Sequence, residues 1–204
     1  MDTFRYGLAL VLLLVLPPLL LYWFLIHPFH RFWRRIGLGR SYLIIATPIL
    51  TTALLIYRAR RPLLAIDFGT HPILIALGGA CIVLSNRVRR GISRAMTQRV
   101  IAGIPELAPD RHPVPLITEG LHARIRHPRY VQVLLAMLGY ALVANYLAPY
   151  VTVAAWVVAV LAIVPLEERE LAARFGRQYE EYRRRVPRFI PRKSGPTRAG
   201  GNSL

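Results

Sequence analysis

The sequence predicts an all-α integral membrane protein of about five transmembrane helices, with a C-terminal helical hairpin and an interfacial amphipathic helix. Three observations carry that expectation. From Tyr130 to Leu166, 37 residues pass without a charged side chain, too long for one bilayer crossing of roughly 20 residues and suited to two short ones. Three further charge-free runs precede it, Tyr6 to Phe29, Ser41 to Tyr57 and Phe68 to Asn86. The chain is 54% hydrophobic yet carries 27 Lys+Arg against 10 Asp+Glu, so apolar blocks alternate with basic loops instead of mixing as in a soluble domain.

The first run reads as a retained helix rather than a signal peptide. Asp2 stands where a purely basic region would be needed, and no small-x-small pattern precedes His27-Pro28-Phe29. A bend is expected at Pro17-Pro18, where the ring removes a helical N–H. In the long run, Asn145-Tyr146-Leu147-Ala148-Pro149 supplies turn formers, so the chain should double back there. That return brings Arg126-His127-Pro128-Arg129-Tyr130 and Glu167-Glu168 to one membrane face.

Five crossings place the termini on opposite sides. The loops 27–40 and 86–129 and the tail from 167 hold 23 of the 27 Lys+Arg, against Arg5, Arg58, Arg60 and Arg61 on the other side. The positive-inside rule then puts the N-terminus outside and the C-terminus in the cytoplasm; for a prokaryotic protein the membrane is the inner or plasma membrane. The Arg58-Ala59-Arg60-Arg61 group runs against that simple picture.

The net charge of +17 does not call for nucleic acid, because no soluble module with stacking aromatics on a basic face is recognisable. Arginines that set topology and meet anionic membrane lipids account for it. Cys81 is a lone cysteine in an apolar run and packs by default. No metal site is expected, since the six histidines are scattered away from ligand spacing. Walker-type, G-x-G-x-x-G and H-E-x-x-H motifs are also missing from the sequence.

The chemistry-bearing residues flank the hairpin. Pro and Gly spacing from His112 to His122 argues for extended chain along the membrane face. Pro128 suits a first helical position, which makes His127 the N-cap and leaves backbone N–H groups free. Two readings follow: an anion such as a carboxylate or phosphate docks there beside Arg126, or the arginines snorkel to lipid phosphates. Glu167 and Glu168 lie close to hydrocarbon, where acids need partners or a purpose. They pair with Arg126, Arg129 or Arg169, or they bind a ligand. Beyond them Leu171, Phe175, Tyr179, Tyr182 and Val186 recur at helical spacing, as in a helix lying on the interface up to Pro187 and Pro191. The Gly, Ser, Pro and Arg tail at 192–204 reads as disordered.

Leu116-Ile117-Thr118-Glu119-Gly120, then Arg126-His127-Pro128-Arg129-Tyr130, a hairpin, Glu167-Glu168-x-x-Leu171-x-x-x-Phe175-Gly176-x-x-Tyr179-x-x-Tyr182 and a Pro-Arg-Phe-Ile-Pro ending together resemble the isoprenylcysteine carboxyl methyltransferases and their phospholipid methyltransferase relatives. The likeness covers roughly residues 112 to 191. It implies a methyltransferase core at 111–191 following N-terminal membrane helices and a loop at 1–110. It also implies that S-adenosylmethionine binds at the cytoplasmic ends of the last two spans and that the acceptor is a lipophilic small molecule or lipid-modified substrate reached from the membrane. Carried over by position, Val114, Pro115, Leu116 and Ile117 line the cofactor. His122 takes the place of a family Tyr, Arg126, His127, Pro128, Arg129 and Tyr130 hold the amino-acid and nucleoside parts, and Glu167 with Glu168 supplies the acidic contact.

Three positions depart from the family pattern. Val114 stands where relatives often have His. On the substrate side, Gln132 replaces a frequent Gly, and Ile163 replaces the Arg that meets a substrate carboxylate. An apolar Ile163 cannot pair with a carboxylate, so the acceptor stays open among amine, thiol, hydroxyl and carboxylate. No residue is marked as catalytic, because methyl transfer from an activated sulfonium needs mainly alignment. Two other readings remain, an NADPH-dependent reductase of the sterol type, which shares R-H-P-x-Y, and a non-enzymatic membrane protein. The loop from Arg87 to Pro113 is compatible with a cap over the cofactor and equally with a surface helix and turn.

Overall fold

The computed structural model describes residues 2–26, 29–92 and 115–191. They form eight α-helices: α1 (Asp2–Ile26), α2 (His30–Ile36), α3 (Leu38–Arg58), α4 (Arg60–Leu63), α5 (Pro72–Ile92), α6 (Pro128–Ala144), α7 (Leu147–Phe175) and α8 (Arg177–Arg185), with a 3-10 turn at Gly120–Ala123. Each long helix grows from a charge-free run, because backbone polar groups in hydrocarbon must bond within their own segment. Among the described residues four helices, α1, α3 from Gly39, α5 and α7, are long and apolar enough to cross a membrane, and α6 is a shorter apolar helix. The expected boundary near residue 110 and the tail 192–204 lie outside the described residues.

The outer surface matches that solvent. Leu43, Ile73 and Val158 are 75%, 74% and 67% exposed, a cost in water that vanishes against lipid tails. The core lies where α1, α6 and α7 meet, with Leu12 and Leu16 packed against Met137, Ala141, Val153, Trp156, Val160 and Val164. α5 lies along α6 at a crossing of two glycines. A Cβ on Gly78 would stand 2.6 Å from the Gly139 carbonyl, and one on Gly139 would stand 2.8 Å from the Gly78 carbonyl. Helices in lipid gain their attraction from such close backbone approach.

One end of the bundle is tied by a polar network. Arg5, 1% exposed, donates from Nε to the Ala144 carbonyl at 3.1 Å and pairs through its terminal nitrogens with Asp67. Asp67 also accepts from the Gly69 amide, and Asn145 donates to the Gly69 carbonyl. The start of α1, the loop before α5 and the α6–α7 turn are thereby held at one end, the arrangement that five crossings require. Arg5 is neutralised by this pairing, which removes one of the four cations expected on that side.

Several boundaries differ from the sequence reading. The hairpin turn is only Asn145 and Tyr146, Asn145 adopting φ 55°, and Pro149 is already inside the first turn of α7. A proline is tolerated there because first-turn N–H groups have no intrahelical acceptor. α5 continues to Ile92 through Arg87, Arg89 and Arg90, so the loop expected from Arg87 begins as helix; residues 93–114 lie outside the described residues. The segment after Glu168 is two helices broken at Gly176, whose φ is 54°. On its apolar face Tyr179, Tyr182 and Val186 pack with Leu116, Leu171, Ala172 and Phe175.

Candidate functional site

The site forms at the opposite end of the bundle, where α6 begins and the lipid-spanning part of α7 gives way to charge. His127 is the N-cap of α6 and Pro128 its first residue, as the proline placement demands. The capping residue uses no side-chain bond to the helix. Instead the chain enters α6 alongside the C-terminal segment, with the Arg126 amide donating to the Pro187 carbonyl at 2.8 Å and the His127 amide to that of Arg188 at 3.0 Å.

The two adjacent glutamates face different surroundings. Glu168 is enclosed, its side chain 3% exposed, and two arginines and a histidine converge on it. Arg126 donates from its terminal nitrogen at 2.6 Å, the His127 Nε2 lies at 3.2 Å, and Arg188 donates from Nε and a terminal nitrogen at 3.1 and 2.8 Å. A buried carboxylate persists only with such compensation. Arg126 is spent in the process, since its other terminal nitrogen donates to the carbonyls of Arg183 and Val186. Glu167 is 27% exposed and accepts from the Tyr130 hydroxyl at 2.9 Å, with the His127 Nδ1 at 3.7 Å. The His127 ring therefore stands between both acids, flanked by the rings of Tyr130 and Phe189 at 5.7 and 5.9 Å. Tyr130 also touches the aromatic groups of Trp23 on α1 and Trp156 on α7, which give the membrane side of the site an apolar wall.

The segment Pro115 to Gly120, with Arg90 and Gly91 of α5, lines a cavity of about 860 Å³. Gly120 takes φ 61°, a backbone state that glycine adopts freely. His122 is buried in the following 3-10 turn, and its carbonyl accepts from the Tyr182 hydroxyl at 2.7 Å. Burial, then the neighbouring His127, holds the His122 imidazole below its ordinary titration range. Burial pushes the Tyr182 hydroxyl up to about 12, so it stays a neutral donor.

The residues singled out from sequence divide accordingly. Arg126, His127, Pro128, Tyr130, Glu167 and Glu168 come together in one cluster, and Pro115, Leu116 and Ile117 line the cavity with Arg90 and Gly91. Val114 lies outside the described residues. Arg129 points along α6 to the Gln132 side-chain oxygen at 2.8 Å. Gln132 is buried and bonded to Ser85 of α5 at 3.0 Å, and Ile163 is 2% exposed, so both substrate-side positions are enclosed by protein. Arg188 and Ser85 received no role from sequence, and Tyr179 and Tyr182 only a place on the apolar face of a helix. Arg188 was visible within Pro-Arg-Phe-Ile-Pro, and Ser85 as a polar residue in an apolar run, but their partners are distant in the chain.

A family model described as phospholipid methyltransferase matches residues 73–178. The chain is 38% identical over 85 residues to methanethiol S-methyltransferase of Crocosphaera subtropica, a match covering 39% of this chain and 30% of that protein. It is 39% identical over 80 residues to the cobalt-zinc-cadmium resistance protein CzcN of Cupriavidus metallidurans, covering 39% and 37%. It is 38% identical over 76 residues to methanethiol S-methyltransferase 2 of Bradyrhizobium diazoefficiens, covering 37% and 28%. The chain thus spans about a third of the length of the curated relatives it matches. No solved structure matches it.

Proposed function

The chain belongs to the phospholipid methyltransferase family, and from that membership we propose that it is an integral membrane methyltransferase that uses S-adenosylmethionine at the cytoplasmic face. The observation that carries the reading is Glu167, the acid of the pair that the arginines leave partly exposed, beside Tyr130 and His127. The donor set fits the cofactor. Glu167 suits an ammonium or a ribose hydroxyl, and the N-terminus of α6 suits a carboxylate. The cavity lined by Pro115 to Gly120 is within the usual range for a small-molecule site, about 300–1,000 Å³.

When bound, the cofactor would supply a methyl group already activated on sulfur. The chain's own part is alignment and exclusion of water, which contribute much of the rate in such transfers. His127 and Tyr130 fix the Glu167 carboxylate, while Trp23 and Trp156 keep the membrane side apolar. A polar cofactor thus enters from the basic end and a lipophilic acceptor from the bilayer. The cytoplasmic assignment of that end rests on its share of the arginines.

For the acceptor, we favour a small lipophilic thiol. Two relatives are methanethiol S-methyltransferases by name, and the apolar, buried Ile163 offers nothing to a substrate carboxylate. Calorimetric titration of the detergent-purified protein with S-adenosylhomocysteine, with NADPH in parallel, tests the cofactor. Saturable binding of the thioether product supports the reading; binding of NADPH alone replaces it with a reductase, and binding of neither removes it.

A further inference from the structure

One buried polar group in the site region has no structural use. Tyr179, on α8, is 1% exposed, and among the described residues its hydroxyl has no hydrogen-bond partner. Its neighbour Tyr182, equally enclosed, is satisfied by the His122 carbonyl. An unpaired buried hydroxyl costs free energy, and native proteins rarely keep one without a purpose. A phenylalanine would fill the same space without that cost.

The place of the ring suggests the purpose. It belongs to the buried cluster against which Leu116 packs, and Leu116 is part of the wall of the 860 Å³ cavity. Glu168 and Glu167 raise the titration of the hydroxyl and Arg126 lowers it, on top of a larger upward push from burial. The group therefore lies within electrostatic reach of the acidic pair, and it remains a neutral donor.

We infer that Tyr179 is a further ligand-binding residue, its hydroxyl donating a hydrogen bond to an acceptor oxygen or nitrogen of the bound cofactor. The inference rests on the proposed methyltransferase reading and adds to it a contact from α8. It also gives a reason for the chain to break at Gly176, since the break places Tyr179 in the cluster that Leu116 joins.

Tyr179→Phe and Tyr182→Phe separate a ligand contact from a packing role. In the ligand-free protein, Tyr179→Phe should leave the thermal midpoint unchanged or raise it, whereas Tyr182→Phe should lower it, because only the second removes a satisfied buried bond. In calorimetry with S-adenosylhomocysteine, Tyr179→Phe should weaken binding by about five- to tenfold, the usual loss for one neutral hydrogen bond. Undiminished affinity in Tyr179→Phe, with the wild type binding normally, overturns the inference and leaves the methyltransferase reading standing. Failure of the wild type to bind S-adenosylhomocysteine overturns both.

Discussion

Arg188 and Glu168 form a two-nitrogen ion pair at 2.8 and 3.1 Å across 20 residues of chain, and this pair ties the C-terminal segment to the start of α6. Glu168 is shared with Arg126 and His127, so one carboxylate organises three elements. Its removal leaves two arginines without their counter-charge and His127 without its Nε2 partner.

Glu168→Ala should therefore destabilise the protein strongly, by about 3–5 kcal/mol, the usual result of breaking a buried ion pair from one side. Thermal unfolding in detergent measures it. Glu180→Ala, which removes only a surface pair with Arg183, should shift the midpoint little, since exposed pairs contribute at most about 1 kcal/mol.

Glu167→Gln should behave in the opposite way. The fold keeps its Tyr130 contact through the amide oxygen, while affinity for S-adenosylhomocysteine falls by about 1–3 kcal/mol as a charge-assisted bond is lost. Calorimetry on the mutant decides this, and an unchanged affinity would remove Glu167 from the cofactor site.

The α5–α6 crossing has no room for a side chain. Gly139→Ala places a methyl 2.7 Å from the Ile82 side chain and 2.8 Å from the Gly78 carbonyl, and overpacking of this kind costs about 1–3 kcal/mol. Gly79→Ala, with open space around its Cβ, should be neutral or slightly stabilising in a helix. The two midpoints, measured side by side, test the crossing.

His122 gives the protein a pH response. Burial lowers its titration below the ordinary value of 6.5, so the unfolded chain takes up the proton more readily than the folded one. Stability from this group is full above the ordinary value and is lost as pH falls through and below it. Thermal midpoints from pH 7.5 to 5.5 should fall, and His122→Gln should reduce that slope.

The membrane character, the helical hairpin, the role of His127 as N-cap and the meeting of the R-H-P-x-Y segment with the acidic pair were legible in the sequence. Each depends on local rules: how long an apolar run must be to cross a bilayer, and what proline does at the start of a helix. Tertiary structure decided which glutamate is spent and which is left partly exposed. Glu167 and Glu168 are identical in type and adjacent in the chain, and consecutive helical positions point about 100° apart. Only packing of the Arg188 segment against Arg126 makes one of them a structural hub. The same holds for Asn145–Tyr146 as a two-residue turn, where the bonds from Asp67 and Gly69 come from a distant loop, and for Gly78 against Gly139. Pairing of groups far apart in sequence depends on where the folded backbone brings them, and no local pattern encodes that distance.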